Sequence, residues 1–403
     1  MRFAHIADCH VGSWRDPKLK EVSIKAFEKA INICIEKQVD FVLISGDLFH
    51  TALPGIDSLK TAVRKLKELQ EKHIPVYIIA GSHDFSPSGK TMLDVLVEAN
   101  LVINVVKGNI DEETNKLKLR FTTDEKTGAK ITGMIGKRGM LEKKYYEDLD
   151  KESLENEPGF KIFMFHTALT ELKPKELEKM DSSPISMLPK EFDYYAGGHV
   201  HIIKKEEIEG YKNVVYPGPV FPTNFAELEK LGGGSFYIYD DGKTEQIPIH
   251  IKNICAIKQD ANHKTPEEVE VEITDQIKKQ EFNNTIVLLR VAGTLTHGKS
   301  SDIDFKQIMK TCYDGGAFFV MKNTNKLVSE DFEEIKVDSA SAEEIEETVI
   351  KEHLGQIKVN FEEEKTAKNL IKLLSSEKQE GEKVYEYHSR IKKELDSVVG
   401  IDL

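Results

Sequence analysis

The stretch Met1–His10, MRFAHIADCH, decides the reading of the chain. Phe3, Ala4, Ile6 and Ala7 form a short apolar run of the kind that makes a buried strand. The run stops at Asp8-Cys9-His10. On an extended backbone residues two apart share a side, so the Asp8 carboxylate and the His10 imidazole point together at the carboxyl end of a first strand. One such pair is half of a metal site. The same stop recurs downstream. VDFVLIS (Val39–Ser45) ends in Gly46-Asp47, VYIIA (Val76–Ala80) in Gly81-Ser82-His83-Asp84, KIFMF (Lys161–Phe165) in His166, and FDYYA (Phe192–Ala196) in Gly197-Gly198-His199-Val200-His201. Glycine before the polar residue lets the backbone turn sharply and approach a ligand. In α/β sheets, ligands collect outside the carboxyl ends of the strands. Singly, each residue has an ordinary explanation: Asp47 or Asp84 as a helix cap or turn residue, His166 as a satisfied core histidine, His199 and His201 as a buried pair. Five apolar runs ending alike favour one shared site.

The donors suit that reading. Asp8, His10, Asp47, His166, His199 and His201 offer oxygen and nitrogen, a set matched to Mn²⁺, Zn²⁺ or Fe²⁺. Six candidates are too many for one four-coordinate zinc with an open position. They suffice for two ions about 3.5–4 Å apart, sharing a carboxylate, that clamp a phosphate and activate a water. The water's pKa falls on the metal, so no protein base is needed. His83 is then available to protonate the leaving oxygen or balance charge, with Asp84 beside it as a candidate to orient its ring.

Taken in order, D-x-H, GD, the GSHD loop, the lone His and GGHVH resemble the calcineurin-like metallophosphoesterases. SGDLFH, FHT and GGHVH resemble the DNA-repair nuclease branch: the SbcD family of bacteria and its archaeal and eukaryotic relatives, the meiotic-recombination-eleven nucleases, here of archaeal type. The resemblance implies an α/β fold, a metallophosphoesterase β-sandwich flanked by helices. It also implies two Mn²⁺ per chain. Asp8, His10, Asp47 and His201 would surround one, Asp47 would bridge to the second, and His166 and His199 would complete it. His83 would act on the transition state or leaving group. His50 matches a position that helps place the DNA phosphate, although alone it reads equally as a turn residue. Ser82 departs from the pattern, since the family usually has Asn there. Ser82 binds the second metal directly, binds it through water, or leaves the position open; a hydroxyl being the shorter and weaker ligand, occupancy of the second metal is expected to be weaker or more labile.

A chain of 403 residues holds two or three domains and a sizeable core. No apolar run approaches the length of a membrane span, and the start reads as a strand rather than a signal peptide. Cys9, Cys34, Cys255 and Cys312 are scattered without a C-x-x-C, which points to a reducing compartment; the resemblance implies a cytoplasmic, nucleoid-associated setting. Cys9, alternating with the presumed ligands, should face the core. A net charge of −13 excludes DNA binding by bulk basic charge. A local basic track or the metals must supply phosphate affinity.

Apolar stripes predict helices over Pro17–Glu36 (Ile24, Phe27, Ile31, Ile35), Ser58–His73 (Leu59, Val63, Leu66, Leu69) and Met92–Asn100. With the intervening strands this is a βαβα order. Helices near the second and third of these form a homodimer bundle in the resembled family; a plain sheet cover is the other reading of their apolar faces. Leu101–Val106, Leu117–Thr122 and Ala129–Ile135 read as strands of a second, more antiparallel half. Lys137 and Arg138, Lys143 and Lys144, and the better-placed Lys204 and Lys205, are candidate contacts to a DNA backbone. The phosphoesterase domain is read as residues 1–244 and a small α+β DNA-capping module as 245–336, with Thr265-Pro266-Glu267-Glu268 opening a helix. A linker and helical region follows over 337–403. Ser341 and Glu344 make a capping box ahead of Ile345, Val349 and Ile350, and Val384, Tyr387, Ile391, Leu395 and Val398 recur at helical spacing. Such charged helices fold back on the body or dock on a partner; the resemblance favours the coiled-coil root of an SbcC-type ABC ATPase. It further implies a nuclease of double-strand-break processing, 3′→5′ exonuclease on duplex ends and endonuclease on single strands. Two rivals stand beside it: a small-molecule phosphodiesterase or phosphatase on the same metals, and a DNA-end tether with little turnover. Protein-phosphatase relatives carry GD-x-x-DRG where this chain reads GDLFHTAL.

Overall fold

The first apolar run becomes strand β1 (Arg2–Ile6), covered on both faces, with Phe3, Ala4, His5 and Ile6 fully buried. The structure, a computed structural model, describes residues 1–86, 89–137, 139, 141–331, 362–376, 378 and 382–399. Two compact units divide the chain, Met1–Val328 and Ser329–Leu403.

In the first unit, β1 lies parallel to β2 (Phe41–Ser45), which is parallel to β3 (Val76–Ile79), itself parallel to the short β4 (Ile103–Asn104). A small hairpin follows, β5 (Gly108–Ile110) with β6 (Leu117–Leu119). A second six-stranded sheet is built from β7 (Thr122–Thr123), β8 (Lys130–Gly133), β9 (Lys161–His166), β10 (Tyr194–Gly198), β11 (Ile203–Ile208) and β12 (Tyr211–Pro217), in the order β11-β12-β10-β9-β8-β7. The chain then returns to the first sheet through β13 (Gly234–Asp240), antiparallel to β1, and β14 (Lys243–Ile249), giving the order β14-β13-β1-β2-β3-β4. Strand β14 runs across the residue-244 limit read from the sequence.

Alternation along β1 explains the layering. Phe3 joins Phe41, Leu43, Tyr77, Ile162, Met164 and Tyr194 between the sheets. Ala4 and Ile6 face the other way, against Ala26, Phe27, Ala30 and Ile31 of α1 (Pro17–Glu36). Asp16 caps α1 by accepting from the backbone N–H of Lys18 and Leu19. Helices α2 (Ile56–Glu71) and α3 (Met92–Glu98) also contribute to that outer cluster through Leu66, Leu69, Leu93 and Leu96. The expected sandwich flanked by helices is present.

The second sheet differs from its expectation. Its centre is parallel, β8-β9-β10-β12, and only the outer pairs β7-β8 and β11-β12 are antiparallel. The run near Leu101 belongs to the first sheet. Buried on both faces, the central strands are near-continuous apolar runs, which carry no sign of strand direction.

Helices α4 (Lys143–Glu147), α5 (Lys151–Glu155) and α6 (Phe225–Leu231) fill connections in this part of the unit. Beyond them, β15 (Asn253–Asp260), β16 (Thr285–Leu295) and β17 (Phe319–Ser329) form a third sheet. Its own core contains Val269, Ile273 and Ile277 of α7 (Pro266–Lys278) and Phe305, Ile308 and Cys312 of α8 (Phe305–Asp314). Thr265 and Glu268 close a capping box at the start of α7, with Pro266 in the first turn, as the sequence predicts.

In the second unit two helices are described, Glu363–Leu374 and Val384–Val399, joined by the Tyr387 hydroxyl donating to the Ser376 carbonyl at 3.0 Å. The linker Val337–Ala342, the Ser341 box and the Ile345–Ile350 stripe lie outside the described residues, as does Arg138. No helix among the described residues is long and apolar enough to cross a membrane.

Candidate metal centre

Parallel pairing aligns the carboxyl ends of β1, β2 and β3 in one sheet and of β9 and β10 in the other. All five open at one edge of the sandwich. The two sheets touch there: a Cβ on Gly198, at the end of β10, would lie 2.2 Å from the Ser45 carbonyl at the end of β2. Gly46 at φ +85° leaves the same room, since a Cβ would meet His166 Nδ1 at 2.2 Å. Beyond the strand ends the backbone is held in the left-handed region at Asp8 (φ 49°), His10 (40°), Asp47 (52°), His199 (97°) and His201 (53°). Each non-glycine residue there costs on the order of 1 kcal/mol or more, and such strain clusters where function demands a geometry. Backbone bonds stitch the turns together: Asp8 N–H donates to the Gly46 carbonyl, His10 N–H to that of Asp47, and His199 N–H to Asp8 Oδ1 at 2.9 Å.

The predicted ligands converge. His10 Nε2 and His201 Nε2 are 3.0 Å apart. His201 Nε2 lies 3.8 Å from Asp8 Oδ1, and His10 Nε2 3.7 Å from Asp47 Oδ2. His166 Nε2 approaches Asp47 Oδ2 at 3.2 Å. Two groups of potential ligands overlap at Asp8: Asp8 with His10 and His201, and Asp8 with Asp47 and His166. Asp47 Oδ2 stands between His10 and His166. The His199 ring packs edge-on to that of His166, centroids 5.2 Å apart. Ser82 Oγ donates to Asp47 Oδ2 at 3.4 Å, so its hydroxyl is directed at the cluster. His83 meets the His10 ring edge-on at 4.9 Å and stacks on His50 at 5.3 Å. His50 is exposed at the mouth. Cys9, expected in the core, is fully buried among the apolar residues under α1.

A second layer holds the rings. His166 Nδ1 bonds to the Ser45 carbonyl at 2.8 Å, and His83 Nδ1 to the His50 carbonyl at 2.9 Å. Asp84 is not the partner of His83. Its Oδ2 accepts from the backbone N–H of Asp47 at 2.9 Å and of Gly81 at 2.8 Å, which pins the Asp47 turn to the GSHD loop. Neighbours in sequence diverge at a turn. Glu227 was not singled out from the sequence, yet its Oε1 lies 3.0 Å from His201 Nδ1. Its only sequence signal is a position three after the Asn224 cap of α6, which reads as helix capping.

The donor set fits divalent cations. His10 Nε2 and His201 Nε2 face one another at 3.0 Å, and His166 Nε2 lies 3.2 Å from Asp47 Oδ2, the spacing of neighbouring ligands in one coordination shell. Three carboxylates, Asp8, Asp47 and Asp84, are buried together, an arrangement that requires compensating positive charge. In the protein alone, burial opposes charge on both Asp47 and His166, but their close approach prevails. It holds the Asp47 carboxyl low and raises His166 to about 10. Burial and repulsion from Asp47 raise Asp84 to about 7, and burial with the neighbouring His166 charge lowers His199 to about 4. A cation bound at Asp47 and His166 would displace that proton, so metal uptake and proton release are linked.

Residues 1–202 match the family described as calcineurin-like phosphoesterase, and the chain belongs to that family. Within it, relatives include proteins described as DNA double-strand break repair protein Mre11. That of Archaeoglobus fulgidus is 31% identical over 244 residues, 57% of this chain and 52% of the relative. Those of Methanococcus maripaludis (29% over 290 residues, 67% and 74%) and Methanocaldococcus jannaschii (28% over 307 residues, 71% and 72%) cover more. The chain spans about half the length of the Archaeoglobus relative. A solved structure described as a novel archaeal phosphodiesterase overlaps 62% of the chain and 99% of its own at 14% identity, with a TM-score of 0.29.

Proposed function

We propose that this phosphoesterase is a Mn²⁺-dependent DNA nuclease of double-strand-break processing, a 3′→5′ exonuclease on duplex ends and an endonuclease on single strands. The observation that carries this is the convergence of Asp8, His10, Asp47, His166, His199 and His201 beside the ring of His83, in a chain whose relatives are described as break-repair proteins. Asp8, His10, Asp47 and His201 would hold one ion, with Asp47 shared to a second at His166 and His199; Ser82 adds a weak oxygen there. Bound in pairs, such cations supply a low-pKa water and polarise the phosphate. His83 does the rest. Its Nδ1–H donates to the His50 carbonyl, so Nε2 faces outward. Protonated, Nε2–H donates to the leaving oxygen. His50, stacked on it, is available to hold the scissile phosphate.

Phosphate affinity would come from the cations and from local lysines. Lys204, 3.5 Å from Glu206, lines a 780 Å³ groove with His201, and Lys137 is engaged by the Tyr145 hydroxyl and ring. Homodimerisation near α2 and α3 is supported by exposed Leu53, Ile56 and Val95. Docking of an SbcC-type ATPase on the C-terminal helices is supported by exposed Leu374 and Tyr385. The protein would act inside the cell, where four free cysteines stay reduced.

A gel assay with Mn²⁺ tests the reading. Wild type should degrade duplex ends, and His83→Ala should lose roughly 10²–10⁴-fold in rate while retaining DNA binding. Hydrolysis of p-nitrophenyl phosphate without DNA cleavage would replace it with a small-molecule phosphodiesterase. DNA binding without cleavage would favour a tether, the reading to which Ser82 lends weight.

A further inference from the structure

Helix α6 is short, yet both its faces are tied to distant chemistry. Glu227 bonds to the candidate metal ligand His201 through Nδ1 at 3.0 Å. That carboxylate is not free to drift. Its Oε2 accepts from Thr223 N–H at 2.7 Å and the Thr223 hydroxyl at 3.1 Å, and its Oε1 also accepts from Asn224 Nδ2 at 2.6 Å. Two residues on, Glu229 points to the other side. It receives Arg290 of β16 through Nε at 2.9 and 3.0 Å and Nη2 at 2.7 Å, with Lys258 of β15 at 3.8 Å. The Arg290 guanidinium also lies 5.0 Å over the ring of Phe225, the first residue of the helix. Glu229 is 12% exposed and Arg290 25%, so this two-toothed pair is partly desolvated and geometrically exacting.

We infer that α6 couples the third sheet to the metal centre: Glu227 is a positioning residue that fixes the ring of His201, and the Arg290–Glu229 pair fixes Glu227. The chemistry is that of a histidine ligand whose second nitrogen is held by a carboxylate, which sets the tautomer and ring angle and raises the basicity of the coordinating nitrogen. What is particular here is the source of the carboxylate's own position. A seven-residue helix has little rigidity of its own, so its registration depends on what grips its ends. Anything that displaces the β15-β16 strands, nucleic acid included, would act on His201 through this helix. The inference rests on His201 being a metal ligand, not on DNA being the substrate.

Titration calorimetry with Mn²⁺ alone, on the full chain, tests it. Glu227→Ala should weaken one of two Mn²⁺ sites by about 10–100-fold, and Glu227→Gln, which keeps an acceptor but loses the charge, should fall between it and wild type. Arg290→Met, which touches neither His201 nor Glu227, should weaken the same site by a smaller, measurable factor. Restoring the pair by charge exchange, Glu229→Arg with Arg290→Glu, should recover it. A Glu227 variant with wild-type affinity at both sites overturns the whole inference. Weakening by Glu227→Ala with no change in Arg290→Met overturns the coupling. If wild type binds Mn²⁺ in this pattern but cuts no DNA, the nuclease reading fails and this one stands.

Discussion

Asp84 and Ser82 show how much a single side chain depends on what the turn presents. Asp84 grips the backbone of Asp47 and Gly81, so it shapes the loop that delivers a ligand. Ser82 sits where a longer amide would extend further into the candidate metal centre; its hydroxyl instead reaches Asp47 at 3.4 Å. On the proposed pair of Mn²⁺ ions, Ser82→Asn is therefore predicted to tighten the weaker site by about tenfold, about 1.4 kcal/mol, leaving the tighter one unchanged. Calorimetry giving two equally tight sites in wild type would remove the basis for this. Residue identities at the site were legible because each follows an apolar run. Glu227 was not, because its partner His201 is 26 residues away and its local role is a cap.

The helices were legible as elements. Helix α1 spans the predicted Pro17–Glu36, because a 3.6-residue apolar period and an Asp-Pro start are local signals. Its face is the lid of the first sheet, and Phe27 is fully buried in it. Phe27→Ala should cost about 3–5 kcal/mol, measured by urea unfolding, and should leave metal binding by the still-folded fraction intact, since no candidate ligand lies on α1. A cost under about 1 kcal/mol would mean that the helix cover is not what stabilises this layer. Strands were legible only as apolar runs. Their direction in the second sheet was not, since a buried strand reads the same whether its neighbour runs up or down.

At the scale of the whole molecule, closing the two sheets buries His5 completely. Its Nδ1 lies 3.1 Å from the Tyr194 hydroxyl of the opposite sheet. Burial depresses this imidazole to about 3, against the smaller upward pull of the Gly197 backbone. Unfolded, it would titrate near 6.5. Between those values the unfolded chain binds the extra proton, so stability is lost as pH falls from about 6.5 toward 3, at roughly 1.4 kcal/mol per unit for this group. Urea unfolding in EDTA at pH 7 and pH 5 should give a shallower pH dependence for His5→Leu than for wild type. Equal slopes would sink the assignment of that acid sensitivity to His5.

The chain by itself determined which residues are candidates for the site, that they stand at strand ends, and where the long helices run, because apolar periodicity and the residues that interrupt it are local properties. Only the tertiary structure decided that two parallel-centred sheets bring those ends to one edge, that Asp84 serves Asp47, and that a carboxylate anchored to the third sheet steadies His201. Those outcomes depend on distances between segments remote in sequence, and no local pattern encodes which remote neighbour a buried strand or a capping glutamate will meet.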